Sequence, residues 1–119
     1  KEYTKTPRYY FWDNGIRNIV ISNLNNLASR DDVGALWENY CVVERAKRNK
    51  YQNILANSFY WRTYDQKEID LVEERDGQLF GYEMKWGKAK VKAPVDFLRS
   101  YPGSDYQVIN KDNYLDFII

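Results

Sequence analysis

The chain has 119 residues with 44% hydrophobic and 17% aromatic content, enough for one packed domain of ordinary size and too apolar for intrinsic disorder. A net charge of +1 demands neither a nucleic-acid nor a membrane partner. Histidine is absent and cysteine occurs once, which excludes Ser-His and Cys-His nucleophile systems, histidine-based zinc sites and any disulfide framework.

In chain order, Arg8–Trp12 is aromatic-rich and strand-like, and it stops at the turn signal Asp13-Asn14-Gly15. A short helix over Ile16–Ile21 and an Asn-rich loop over Ser22–Arg30 follow. Asp31-Asp32 supply N-caps for a helix from about Val33 to Arg48, with an apolar stripe at Val33, Leu36, Trp37, Tyr40 and Val43. Arg45, Lys47, Arg48 and Lys50 close that helix, where cations oppose its dipole. Cys41 lies beside the stripe and reads as a small hydrophobe. Glu44 falls near the stripe's centre, so an internal ion pair with Arg62 or Arg17 is expected. Asn57–Tyr64, Lys67–Glu74 and Gln78–Trp86 read as three strands, the last broken by Gly87. Pro94 opens a short helix through Arg99, Pro102-Gly103 ends it, and Tyr106–Asn110 is a last core strand. Tyr114–Ile119 reads as a further strand or a frayed end. The order is α-β-β-β-α-β, an α/β (α+β) arrangement with a central mixed sheet flanked by helices.

The chemistry concentrates in KEIDLVEERDGQLFGYEMKW, residues 67–86. Asp76-Gly77 is a two-residue hairpin signal, because a primed turn needs positive φ at both central residues. A tight turn there sets Val72 opposite Gly81 and Asp70 opposite Glu83, with facing Cβ atoms ~4.5–5.5 Å apart. Two carboxylates at that separation raise each other's cost of ionisation unless a cation lies between them. Alternation places Lys85 on the same face and Glu68 opposite it, leaving Ile69, Leu71, Phe80, Tyr82 and Met84 as a core face. Acid–base striping of a solvated strand face, with Glu68–Lys85 as a plain ion pair, is the competing reading. Trp12, Trp37, Trp61 and Trp86 are candidate base-stacking residues, with core packing the expected role for Trp37 and Trp61 and an exposed position for Trp86 at its strand end.

Element order and residues together resemble the PD-(D/E)XK, restriction-endonuclease-like nuclease fold. Asp70 and Glu83-Met84-Lys85 match its acid followed by acid-x-Lys signature, and Glu38 in GALWENYCVVE matches the helix glutamate of the family. More narrowly, YFWDNG, GALWENYCVVE, FYWRTYDQKEIDLVEE and GYEMKW resemble the uncharacterised domain C-terminal to the ATPase module of prokaryotic AAA+-like ATPases, over roughly residues 9–110 of a 1–119 domain. The resemblance implies Mg²⁺ or Mn²⁺ held by Asp70, Glu83 and the Met84 carbonyl, with Glu38 joining through water. It assigns Lys85 to the nucleophilic water or the phosphate charge, and Arg62, Lys88, Lys90 and Lys92 to nucleic acid. The lone Cys41 makes a reducing cytoplasm the expected home, and the resemblance implies a fragment of a longer protein whose covalently linked ATPase module lies outside this chain: no GxxxxGK[ST] loop is present. A metal-dependent phosphodiesterase, a non-catalytic docking or DNA-sensing module, and a homodimerising domain all remain open.

Overall fold

A computed structural model describes residues 2–4, 33–62, 67–87 and 92–119. The expected strand over 8–12, the helix over 16–21, the Asn-rich loop, the Asp31-Asp32 cap, Trp12, Arg17, Lys88 and Lys90 lie outside these residues. The described elements are β1 (Glu2–Thr4), α1 (Val33–Tyr51), β2 (Asn57–Arg62), β3 (Glu68–Arg75), β4 (Gln78–Met84), α2 (Val95–Ser100), β5 (Asp105–Ile109) and α3 (Tyr114–Ile118). From α1 to β5 they follow the α-β-β-β-α-β order read from the sequence. No helix of the described residues is long and apolar enough to cross a membrane.

Among the described residues five strands form one mixed sheet in the order β1-β2-β3-β4-β5. The first three pairings are antiparallel, and β4 pairs β5 in parallel. A parallel neighbour requires a crossover, and α2 lies within it. The β3–β4 hairpin turns on Asp76 (φ 52°) and Gly77 (φ 80°), the two positive values of a primed turn, with Val72 opposite Gly81 as expected. The Gly77 N–H also donates to Glu74 Oε2 at 3.1 Å, which closes the turn.

Helix α1 runs one turn fraction past Arg48 because its end is a Schellman motif. Asn53 takes φ 55°, its N–H donates to the Lys50 carbonyl, and the Ile54 N–H reaches back to the Asn49 carbonyl at 2.8 Å. The segment after β5 is a helix rather than a strand. Asn110 Oδ1 accepts from the Asp112 and Asn113 N–H groups, and Asn113 Oδ1 accepts from the Asn110 N–H. That reciprocal Asx turn reverses the chain and leaves Asn113 as the N-cap residue of α3.

Each face of the sheet carries its own apolar cluster. Trp37 and Cys41 of α1 pack with Leu71, Tyr82, Met84, Ile109 and Phe117 of α3 on one face. Trp61, Ile69, Val72 and Leu79 pack with Phe97 of α2 on the other. Ile69 thus leaves the face on which simple alternation puts it. Between the pairs Phe59↔Val72 and Trp61↔Ile69 the register shifts, β3 spending three steps where β2 spends two. This bulge at Asp70-Leu71 returns Ile69 to the side of Val72. Trp37 and Trp61 are buried and Trp86 is exposed, as expected.

The interior charge is not where helical angle puts it. Glu44 bonds Lys47 one turn along the same helix at 3.1 Å, at partly exposed positions. The buried pair is Arg45–Glu73, with Arg45 5% and Glu73 1% exposed. Arg45 Nε and Nη2 donate to the two Glu73 carboxylate oxygens at 3.0 and 2.9 Å, a bidentate fork, while its Nη1 donates to the Phe117 carbonyl at 2.7 Å. Asn49 and Arg75 also donate to Glu73. Arg45 therefore belongs to the core rather than to the dipole-opposing cluster at the helix end.

Candidate functional site

Asp70 and Glu83 meet where the β3 bulge ends the regular hairpin ladder. That ladder runs from Arg75↔Gln78 to Leu71↔Tyr82. One residue beyond, Asp70 turns its side chain toward β4, and its Oδ2 accepts the Met84 N–H at 3.0 Å. A bulge re-aims a side chain and frees a ladder position, so the same local irregularity places Asp70 against the third strand. Asp70 and Glu83 are half-buried and hydrogen-bonded to each other through their side chains. Burial pushes the Glu83 carboxyl up to about 8, helped by the Asp70 charge, by their shared hydrogen bond and by the charge of Glu38. A carboxyl so raised holds its proton at neutrality and donates it to its neighbour.

Glu38, half-buried on α1, is therefore near enough to act on Glu83 electrostatically. Lys85 is exposed, one residue past the end of β4, and its N–H donates to the Ile109 carbonyl at 2.9 Å. Met84 buries its side chain in the α1-side cluster. Glu68 faces Arg62 rather than Lys85: the two are paired in the β2–β3 register, with Nε to Oε1 at 3.9 Å. Both are largely exposed, so the contact adds little. Arg62 is engaged at the outer end of β2, and Lys92 is exposed ahead of α2.

Tyr106 is the residue that sequence reading passed over. It lies opposite Gly81 in the parallel β4–β5 register, and a Cβ on Gly81 would stand 3.4 Å from its ring, from Ile69 and from Phe97. Burial pushes the Tyr106 hydroxyl up, and the charges of Glu83 and Asp70 push it further, so the phenol stays protonated beside the acids. A half-buried tyrosine on an edge strand carries no sequence signal of its own; its one clue is a glycine at the facing position.

Two carboxylates on adjacent strands are oxygen donors of the kind a hard divalent cation takes, and an ion between them would replace the proton that Glu83 holds. Among the described residues no three Asp, Glu or Cys side chains converge into a ready cage, so waters and backbone oxygen would have to complete the shell.

Residues 33–115 match the family model described as a domain of unknown function, DUF4143, and the chain belongs to that family. It is 32% identical over 87 residues to an uncharacterized protein of Mycobacterium tuberculosis and, equally, to one of Mycobacterium bovis. The match covers 71% of this chain and 19% of either relative, so the chain spans about a fifth of their length. No solved structure matches.

Proposed function

We propose that this chain is a nuclease-like accessory domain of a longer ATPase, with a PD-(D/E)XK site that acts on the phosphodiester backbone of nucleic acid with Mg²⁺ or Mn²⁺. The observation that carries the reading is the Asp70–Glu83 pair, two acids from neighbouring strands hydrogen-bonded through their side chains, with burial holding on Glu83 a proton that a divalent ion would displace. The acid, acid-x-Lys pattern of Asp70, Glu83 and Lys85 supports it, as does the helix glutamate Glu38. Relatives about five times the length of the match are consistent with a domain embedded in a larger chain.

Asp70 and Glu83 would hold the ion, with the Met84 carbonyl and water-bridged Glu38 around it. When bound, the ion supplies a polarised phosphoryl oxygen and a bound water of lowered pKa. The rest falls to the chain. The Met84 N–H fixes the Asp70 rotamer, Lys85 places an ammonium against the charge that builds on phosphate, and the protonated Tyr106 hydroxyl offers a donor on the same side as Glu83. The non-catalytic alternative, a docking or DNA-sensing module of the same ATPase, gains from the lack of a three-ligand cage among the described residues and from the net charge of +1.

Thermal denaturation with Mg²⁺ or Mn²⁺ tests the reading. The ion should raise the melting temperature, and Asp70→Asn or Glu83→Gln should remove the rise. Equal shifts in wild type and variants sink the metal site. Lys85→Ala should keep the shift and lose cleavage of plasmid or single-stranded substrate; a chain that binds the ion and cuts neither is the non-catalytic module.

A further inference from the structure

The end of β4 carries an aromatic ring that the acid pair does not use. Lys85 bonds through its N–H to Ile109, so β4 and β5 leave the sheet side by side, and Trp86 and Lys111 meet just beyond. Trp86 is 38% exposed, whereas Trp37 and Trp61 are buried. It is nevertheless held in place. Trp37 meets it edge to face at 5.3 Å and 64°, and Trp37 is itself fixed by its indole N–H on the Ile109 carbonyl and by Tyr114 at 5.2 Å. Lys111 Nζ stands 5.9 Å from the Trp86 ring centre, at the outer limit of a cation–π contact, and so leaves the ring open to a better partner.

We infer that Trp86, backed by Trp37 and flanked by Lys111, is a stacking platform for an unpaired base, which makes single-stranded nucleic acid the ligand of this site. The inference rests on the nuclease reading for what happens beside the platform. Three residues of extended chain separate Glu83 from Trp86, about 10 Å at most. That is a backbone span: Glu83 leaves β4 on the Tyr106 side and Trp86 on the Trp37 side, so a strand whose phosphate lies at the acids passes round the end of β4 to set a base on the indole. A preheld ring loses little freedom on stacking, and every base has a face to offer it. The bases of a duplex already stack on each other and cannot reach it. Lys111, beside the ring, is placed for a phosphate of the same strand.

Fluorescence anisotropy of labelled poly-dT and poly-U oligonucleotides and of a duplex of equal length tests this, all in EDTA so that no ion is needed. The wild type should prefer single strands. Trp86→Ala should weaken binding roughly 5- to 150-fold, the range of one lost stack, and Trp86→Phe should restore most of it. Lys111→Gln should lower the salt slope by about 0.7. Comparing the DNA and RNA arms tells which sugar the platform tolerates. Wild-type protein that binds no oligonucleotide, or a Trp86→Ala chain that binds as well as wild type, overturns the inference. Loss of oligonucleotide binding in Trp86→Ala, in a protein whose metal-induced thermal shift ignores Asp70, supports the platform and overturns the nuclease reading alone.

Discussion

Glu83 and Glu73 are acids on neighbouring strands that answer burial in opposite ways, and the difference is the partner. At Glu73 burial pushes the carboxyl up, but the Arg45 hydrogen bonds and charge, then Asn49 and Arg75, outweigh it and hold the group below its ordinary range. At Glu83 burial meets another acid, and the carboxyl rises to about 8. Folding therefore binds a proton at Glu83 between its ordinary value of 4.5 and about 8. Stability must fall as pH rises through that window, by up to ~1.4 kcal/mol per pH unit for one proton, and level off above it. Glu73 acts at the other end: its contribution is present above 4.5 and lost on further acidification. Denaturant titrations from pH 5 to 8.5 should show the decline, and Glu83→Gln, which keeps a hydrogen bond to Asp70 and carries no charge, should flatten it. A wild-type profile that stays flat across this interval contradicts the raised Glu83 carboxyl. On the proposed metal site a divalent ion would displace that proton, so the Mg²⁺-induced thermal shift should grow from pH 6 to pH 8.5.

The hairpin was the most legible element, because Asp76-Gly77 states its own turn type and alternation sets its register. Gly77 sits at φ 80° with nothing within 4 Å of where a Cβ would stand, so a substitution there tests backbone conformation alone. Gly77→Ala should cost roughly 1–2 kcal/mol in urea denaturation, and a neutral result would mean that the turn had changed type. What alternation did not convey is the bulge, since an extra residue in one strand shows only against its partner. That single irregularity moved Ile69 to the opposite face and turned Asp70 onto the Met84 N–H. Arg45–Glu73 was within reach of the pattern: Arg45 continues the helical spacing of Trp37 and Cys41, and Glu73 follows Leu71 on the α1 face of β3. Treating charged residues as surface residues concealed it. Arg45→Met should destabilise by about 3–5 kcal/mol by leaving Glu73 buried and unpaired, and Arg45→Met with Glu73→Leu should recover most of that loss. A double variant no more stable than the single would mean that Asn49, Arg75 and the Phe117 carbonyl need the charges in place.

The two clusters lie on opposite faces of one sheet and are supplied by different helices, yet β3 and β4 send side chains into both. Such an arrangement ties α1 and α3, which pack on each other on one face, to α2 on the other face through the strands. The C-terminal α3 was misread because its helical start depends on the Asn110–Asn113 turn, whose reciprocal side-chain bonds outrank the strand-like composition of Tyr114–Ile119. Phe117 anchors that helix: it is buried against Tyr82, and its ring lies under the Arg45 guanidinium. Phe97 anchors α2 against Trp61 in the same manner on the far face. Phe117→Ala and Phe97→Ala should each cost about 3–5 kcal/mol. With no shared side-chain partner, their effects should add to within roughly 0.5 kcal/mol. Since the same strands serve both clusters, each variant should still melt in one transition, coincident by far-ultraviolet circular dichroism and by tryptophan fluorescence. Separate transitions, with the loss of Phe97 leaving the α1–α3 face intact, would mean that the sheet does not couple its two faces and that the acid pair at its centre rests on one of them alone.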